Sequence, residues 1–149
     1  MNQHTQNPQV GIGVMIFRDG KVLMGMRKSD TGLGEWAFPG GRFETGESFV
    51  ECAIRETKEE TGIEIANVSF ILLGNIPDTY ATHYVAIGFS ADWKSGEPVV
   101  LEPTKCERWE WCDLHDLPQP LFFPAKMIID AYLSGIFFRD CGTVNGVTE

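Results

Sequence analysis

A chain of 149 residues with 43% hydrophobic and 11% aromatic side chains can bury one core without disulfides or a structural metal, and is short for two ordinary domains. Its formal net charge of -9, with no cluster of lysines or arginines, argues against a DNA or RNA backbone as partner. No apolar run approaches the ~20 residues of a membrane-spanning helix, residues 1–7 lack the basic-then-apolar layout of a secretion signal, and the four cysteines show no Cys-x-x-Cys spacing, so a cytoplasmic protein with reduced thiols is expected.

In chain order, residues 10–17 and 22–27 are apolar runs joined through Asp19-Gly20, a dipeptide tolerant of positive φ, which predicts two antiparallel strands and a tight hairpin. A glycine-rich stretch, Thr31-Gly32-Leu33-Gly34, leads through Trp36-Ala37-Phe38 to Pro39-Gly40-Gly41, where paired glycines let a backbone approach a ligand closely. It is not a loop of the Gly-x4-Gly-Lys-Ser/Thr type, since the lysine is missing. Ser48 with Glu51 reads as a capping box that starts a helix, and Gly62 as its stop. Val50, Ala53, Ile54 and Thr57 form the expected packing side of that helix, next to but distinct from its glutamates. Further strands are expected over 68–73, 83–91 and 108–112, and a second amphipathic helix over 125–133. Strands mixed with helices at this length read as one α/β domain spanning 1–149, with a core over about 8–138 and a loose tail over 139–149.

On the first helix Glu56, Glu59 and Glu60 fall within an arc of about 100°, and Glu47 lies on the loop just before it. Like charges this close either take up protons or share a cation, and clustered carboxylate oxygens suit a hard ion such as Mg2+. Taken alone, a run of glutamates also reads as a solvated helix face. Glu47 and Arg55 are spaced for a loop-to-helix ion pair that holds the segment in shape.

The order of these residues separates the two readings. Gly41, Glu47, Arg55, Glu56, Glu59, Glu60, Gly62 and Ile63 follow the pattern Gly-x5-Glu-x7-Arg-Glu-U-x-Glu-Glu-x-Gly-U, with U bulky and apolar, which resembles the signature box of the MutT/Nudix hydrolase superfamily. Thr57 departs from it, standing where the family usually has an aliphatic residue. The likeness continues through Arg27, Trp36, Pro39 and Gly40 upstream and through Glu102-Pro103, Lys105-Cys106-Glu107 and Trp109-Glu110-Trp111 downstream. Within the superfamily the chain looks similar to the small nucleoside triphosphate diphosphatases, including those acting on oxidised or modified purine nucleotides.

This resemblance implies a mixed β-sheet sandwiched between α-helices. It implies a bound Mg2+, with Mn2+ as the alternative, held by Glu56, Glu59, Glu60 and the carbonyl of Gly40, one glutamate orienting or deprotonating the attacking water. Gly41, Glu47 and Arg55 would shape the box. A further acidic ligand or base would come from Glu102, with Glu107 competing for that role and a plain surface carboxylate the bland alternative for either. Glu44 is either a support to the site or merely exposed. Arg27 would contact substrate phosphate, with a plain surface arginine the bland alternative. Trp36, Phe122 and Phe123 either stack on a nucleobase or belong to the core, and His83 is either structural or near the substrate. The implied reaction is hydrolysis of a nucleoside triphosphate to monophosphate and pyrophosphate. The alternatives are an ADP-ribose or nucleotide-sugar pyrophosphatase and, from another class, a nucleotide-binding regulator without turnover. A homodimer is compatible with the resemblance.

Overall fold

The computed structural model describes residues 7–77 and 82–141. Strands β1 (Gln9–Arg18) and β2 (Lys21–Arg27) form the expected hairpin, and Asp19 and Gly20 both take positive φ, 50° and 77°, as a tight turn matched to strand twist requires. Two short strands follow, β3 (Trp36–Ala37) and β4 (Gly40–Arg42), then helix α1 (Phe49–Thr61). The remaining elements are β5 (Glu64–Ile76), β6 (Tyr84–Ser95), β7 (Cys106–Asp113), helix α2 (Phe123–Ser134) and β8 (Phe138–Asp140). They form an eight-stranded sheet in the order β3-β2-β1-β6-β5-β8, with β4 also paired to β1 and β7 to β2. The sheet is mixed: β1 runs parallel to β6 and β5 to β8, and the other pairs are antiparallel.

Side chains alternate across the strands and divide the core into two layers. Ile12, Val14 and Ile16 of β1 and Leu23 of β2 pack with Cys52 and Ala53 of α1, while Met15, Val22 and Met24 pack with Met127, Ile128 and Ile129 of α2. The sheet is therefore sandwiched between helices, the expected architecture. Beside the turn, β1 and β2 pair at Phe17↔Val22 and Arg18↔Lys21, and then diverge: β1 takes β4 as its neighbour over Gly11–Gly13 while β2 takes β3 at Gly25 and Met26 and keeps β7 along its other edge. Two sheet arms splay from one hairpin, and a cleft opens between them.

Three expectations are corrected. The packing side of α1 is rotated toward its glutamates: Val50 and Ile54 are 43% and 38% exposed, whereas Cys52, Ala53, Thr57 and Thr61 are buried. The carboxylate side and the packed side thus overlap, because α1 leans on β4 and β1 and its glutamates enter the cleft beside them. Strand β8 takes up the start of the supposed tail, Asn75 donating to Asp140 at 2.9 Å and the Cys141 amide to the Asn75 carbonyl at 3.0 Å. Beyond 141 the tail lies outside the described residues. The strands expected over 68–73 and 83–91 extend to Glu64–Ile76 and Tyr84–Ser95. Among the described residues no helix is long and apolar enough to cross a membrane, and no disulfide links the cysteines.

Candidate active site

The helix carrying the glutamates is fixed at both ends. The Ser48 hydroxyl accepts from the Glu51 amide at 3.1 Å while the Glu51 carboxylate accepts from the Ser48 amide at 2.6 Å, and at the other end Gly62, at φ 78°, donates to the Lys58 carbonyl. Arg55 then ties this helix to its surroundings. Its Nε and Nη2 donate to the two oxygens of Glu47 at 2.9 and 2.8 Å, its Nη1 to Glu56 at 2.8 Å and Glu59 at 3.3 Å, and its Nη2 to the Arg42 carbonyl of β4 at 3.2 Å. Loop, helix and strand are clamped by one guanidinium, the geometry in which its planar fork binds most strongly. These hydrogen bonds hold the Glu47 carboxyl down to about 2, well below the usual carboxylate range. Glu44 stands 3.8 Å from the same guanidinium.

The glycines before the helix are there for want of room. A Cβ on Gly41 would lie 2.3 Å from the Glu56 carboxyl, and one on Gly40 would lie 1.9 Å from the Ile12 carbonyl oxygen. Glycine at both positions lets β4 press against β1 and lets Glu56 pass over β4 into the cleft.

The cleft has a volume of about 610 Å3, and Glu56, Glu59, Glu60 and Glu102 all line it. Burial raises the carboxyl of Glu56, even with Arg55 beside it, and pushes that of Glu60 up to about 8, the charges of Glu56 and Glu102 adding to the effect and a hydrogen bond from Gly40 opposing it. Glu59 is the most open of the three helix glutamates, its side chain 55% exposed beside Arg55. Glu102 reaches the cleft because its loop is docked on the end of α1, with Val99 N–H bonded to the Thr61 carbonyl at 2.9 Å and Leu101 N–H to that of Glu60 at 3.4 Å. Its carboxylate pairs with Lys105 at 3.0 Å. Glu107 instead points out of β7 beside Arg108 at 3.5 Å, so of these two carboxylates it is Glu102 that lines the cleft with the other glutamates.

Next to the carboxylates the cleft becomes an apolar slot. Gly11 and Gly13 of β1 and Ala86 of β6 make its floor, and Pro124, Ala125 and Ile128 at the start of α2 face it. The alternating glycines of Gly11-Ile12-Gly13 were the sequence signal for this floor, since glycine inside an apolar strand marks close approach of another group. Phe122, at the N-cap of α2, forms part of the wall, with the Arg27 guanidinium 4.0 Å above its ring and the Arg27 Nε bonded to the Thr31 carbonyl at 2.9 Å. Trp36 and Phe123 stand elsewhere. Trp36 is 4% exposed in the α2-side core with Phe38 and Met24, because β3 turns it under the sheet, and Phe123 packs against that core with the Arg139 guanidinium 5.5 Å from its ring. His83 hydrogen-bonds Asn75 at 2.5 Å, a link in the chain to Asp140, and is not among the cleft-lining residues. Burial pushes the Cys52 and Cys106 thiols up to about 12 and about 11, away from the thiolate form at neutral pH.

The NUDIX domain family matches residues 7–132. The chain belongs to the NUDIX family. Its Nudix box is the Gly41–Ile63 segment built around Arg55. Among solved structures, the MutT NUDIX hydrolase from Burkholderia pseudomallei superposes with a TM-score of 0.79 at 35% identity, covering 85% of this chain and 98% of that one. Among curated relatives, a protein named ADP-ribose pyrophosphatase from Methanocaldococcus jannaschii is 34% identical over 125 residues, 83% of this chain and 73% of that protein. A protein named NAD-capped RNA hydrolase NudC from Pseudomonas entomophila is 35% identical over 124 residues, 83% of this chain but 42% of its own length. This Nudix chain thus spans less than half the length of the NudC relatives it matches. Among the described residues no three His, Cys, Asp or Glu side chains close into a finished metal cage. The carboxylate oxygens that meet in the cleft are nonetheless the donors Mg2+ and Mn2+ accept, and the Glu60 carboxyl is pushed up to about 8 by burial first and then by the charges of Glu56 and Glu102, a repulsion that a bound cation would relieve.

Proposed function

We propose that this Nudix domain is a hydrolase that uses Mg2+, or Mn2+ in its place, to cleave a phosphoanhydride of a nucleoside triphosphate, giving monophosphate and pyrophosphate. The observation that supports this reading is the junction inside one cleft: Glu56, Glu59, Glu60 and Glu102 at one end, and at the other an apolar slot floored by Gly11, Gly13 and Ala86 that suits a nucleobase. Glu56, Glu59, Glu60 and the Gly40 carbonyl would hold the metal, which supplies charge neutralisation at the bridging oxygens when bound. Glu102 lies within the field of Glu56 and Glu60 and completes the acidic wall. A glutamate of this set takes a proton from, or aligns, the attacking water. Arg55 and Glu47 hold the glutamate helix and β4 in register, so that carboxylates and substrate meet without reorganisation. Arg27 at the slot wall would meet phosphate, and Phe122 the base. Oxidised or otherwise modified purines fall within the proposed substrate class.

A second reading, cleavage of a nucleoside diphosphate linked to another group such as ADP-ribose, is favoured by the name of the Methanocaldococcus jannaschii relative. A panel of nucleoside triphosphates, oxidised purine triphosphates, nucleotide sugars and ADP-ribose, assayed with Mg2+ and resolved by chromatography, decides between them. Monophosphate plus pyrophosphate from a triphosphate is the expected result. Cleavage of ADP-ribose or nucleotide sugars alone would replace the first reading by the second, and tight binding without turnover across the panel would make the chain a nucleotide-binding regulator.

A further inference from the structure

Four basic side chains line the cleft, Arg27, Arg42, Arg55 and Lys105, against five glutamates, Glu44, Glu56, Glu59, Glu60 and Glu102. Three of the four cations are already engaged. Arg55 is spent on Glu47, Glu56 and Glu59, Lys105 on Glu102, and Arg27 on the Thr31 carbonyl and the face of Phe122. The Arg42 guanidinium makes no hydrogen bond or ion pair with the described residues, and its residue is exposed.

Its backbone, by contrast, is held. The Arg42 carbonyl accepts from Arg55 at 3.2 Å and from the Cys52 thiol at 3.6 Å, and Arg42 pairs with Gly11 in the β4–β1 ladder. Successive strand residues point to opposite faces. A Cβ on Gly41 would meet Glu56, so Arg42 leaves β4 on the face away from that carboxylate, on the side of Gly11 and Tyr84 at the slot mouth. A nucleotide lying from slot to carboxylates therefore passes between the acidic end and this one uncommitted fork. Arg42 also occupies the first of the five unspecified positions between the glycine and glutamate of the box, where the signature leaves the residue open.

We infer that Arg42 is a substrate-binding residue that grips the polyphosphate of the nucleotide, bidentately through its guanidinium, and so favours a chain of several phosphates over a neutral or singly charged ligand. This rests on the nucleotide reading of the cleft given above. A second guanidinium on the phosphates, beside Arg27, adds positive charge to a cleft in which glutamates outnumber cations, and a clamped backbone under it lowers the cost of fixing it.

The test is calorimetric binding of inorganic tripolyphosphate and of the free nucleoside, both with Mg2+, to wild type, Arg42→Ala and Arg42→Lys, alongside triphosphate turnover and melting temperature. Arg42→Ala is expected to weaken tripolyphosphate binding about 10- to 100-fold, to leave nucleoside binding and melting temperature at wild-type values, and to raise KM for the triphosphate. Arg42→Lys should recover part of the loss, since it keeps the charge without the fork. Wild-type affinity of Arg42→Ala for tripolyphosphate, or an equal loss for the nucleoside, overturns the assignment. Wild-type protein that binds tripolyphosphate through Arg42 but turns over no nucleotide removes the catalytic reading and keeps this one. Turnover of a triphosphate that Arg42→Ala leaves untouched does the reverse.

Discussion

At the scale of single residues, two positions carry opposite lessons about the helix that bears the glutamates. Gly41 is glycine because Glu56 fills the space a side chain would need, 2.3 Å from where its Cβ would stand. Gly41→Ala should leave the fold standing, since what its Cβ meets is the far end of the Glu56 side chain and not backbone, but displace that carboxyl from Arg55 and cut kcat/KM by about 100-fold, as misplacements of an ångström do. Near-normal turnover with an unchanged melting temperature would show that Glu56 is not needed where it stands. Thr57 is the departure from the family pattern, fully buried with a hydroxyl that finds no hydrogen-bond partner among the described residues. Thr57→Val keeps the shape and removes the orphaned polar group, so a gain of about 1 kcal/mol and a rise in melting temperature of about 2–4 °C are expected, with turnover unchanged. A fall in melting temperature would mean the hydroxyl has a partner such as a buried water.

At the scale of elements, the Glu47–Arg55 pair decides how the loop, α1 and β4 stay together at low pH. The folded-state carboxyl of Glu47 lies at about 2, below its ordinary value of about 4.3 in an unfolded chain. Its stabilising contribution is therefore complete above about pH 4.3 and is lost as pH falls toward the folded value. Glu47→Gln should lower the melting temperature at neutral pH, and the gap to wild type should close between about pH 4.3 and pH 2. A gap that stays constant through that window would show that Glu47 acts through packing and not through charge. Much at this scale was legible in the sequence, because caps, turns and periodicity are local: Asp19-Gly20, Ser48-x-x-Glu51 and Gly62 each settle one boundary by their own backbone preferences. What was not legible depends on neighbours. The side of α1 that packs is set by where β4 lies, so Val50 and Ile54 read as buried from spacing and are exposed in fact. β3, β4 and β8 are two or three residues long and exist only through the strands that pair with them.

At the scale of the whole molecule, the cleft comes from topology: one hairpin whose strands separate to take different partners, with two helices closing opposite faces. A linear pattern announces the box because its spacing is long and specific, so Glu56, Glu59 and Glu60 could be named from it. It announces nothing about the slot, whose floor comes from β1 and β6 and whose far wall from α2, and so Arg42, Tyr84 and Ile128 went unnamed while Trp36 and Phe123 were named among the candidate contacts. Glu102 and Glu107 compete for one role in the sequence, and what separates them is that the loop of Glu102 docks on α1 while Glu107 is carried on β7 beside Arg108.

The central claim is that the carboxylates of this cleft perform metal-dependent hydrolysis. It is tested most directly by measuring pyrophosphate release from the best triphosphate of the panel by wild type, Glu56→Gln and Glu60→Gln, each titrated with Mg2+ and with EDTA. The account predicts turnover by wild type that EDTA abolishes and Mg2+ restores, and a loss of about 100-fold or more in both variants with melting temperatures showing intact folds. Full turnover in EDTA, or wild-type rates in both variants, would contradict it.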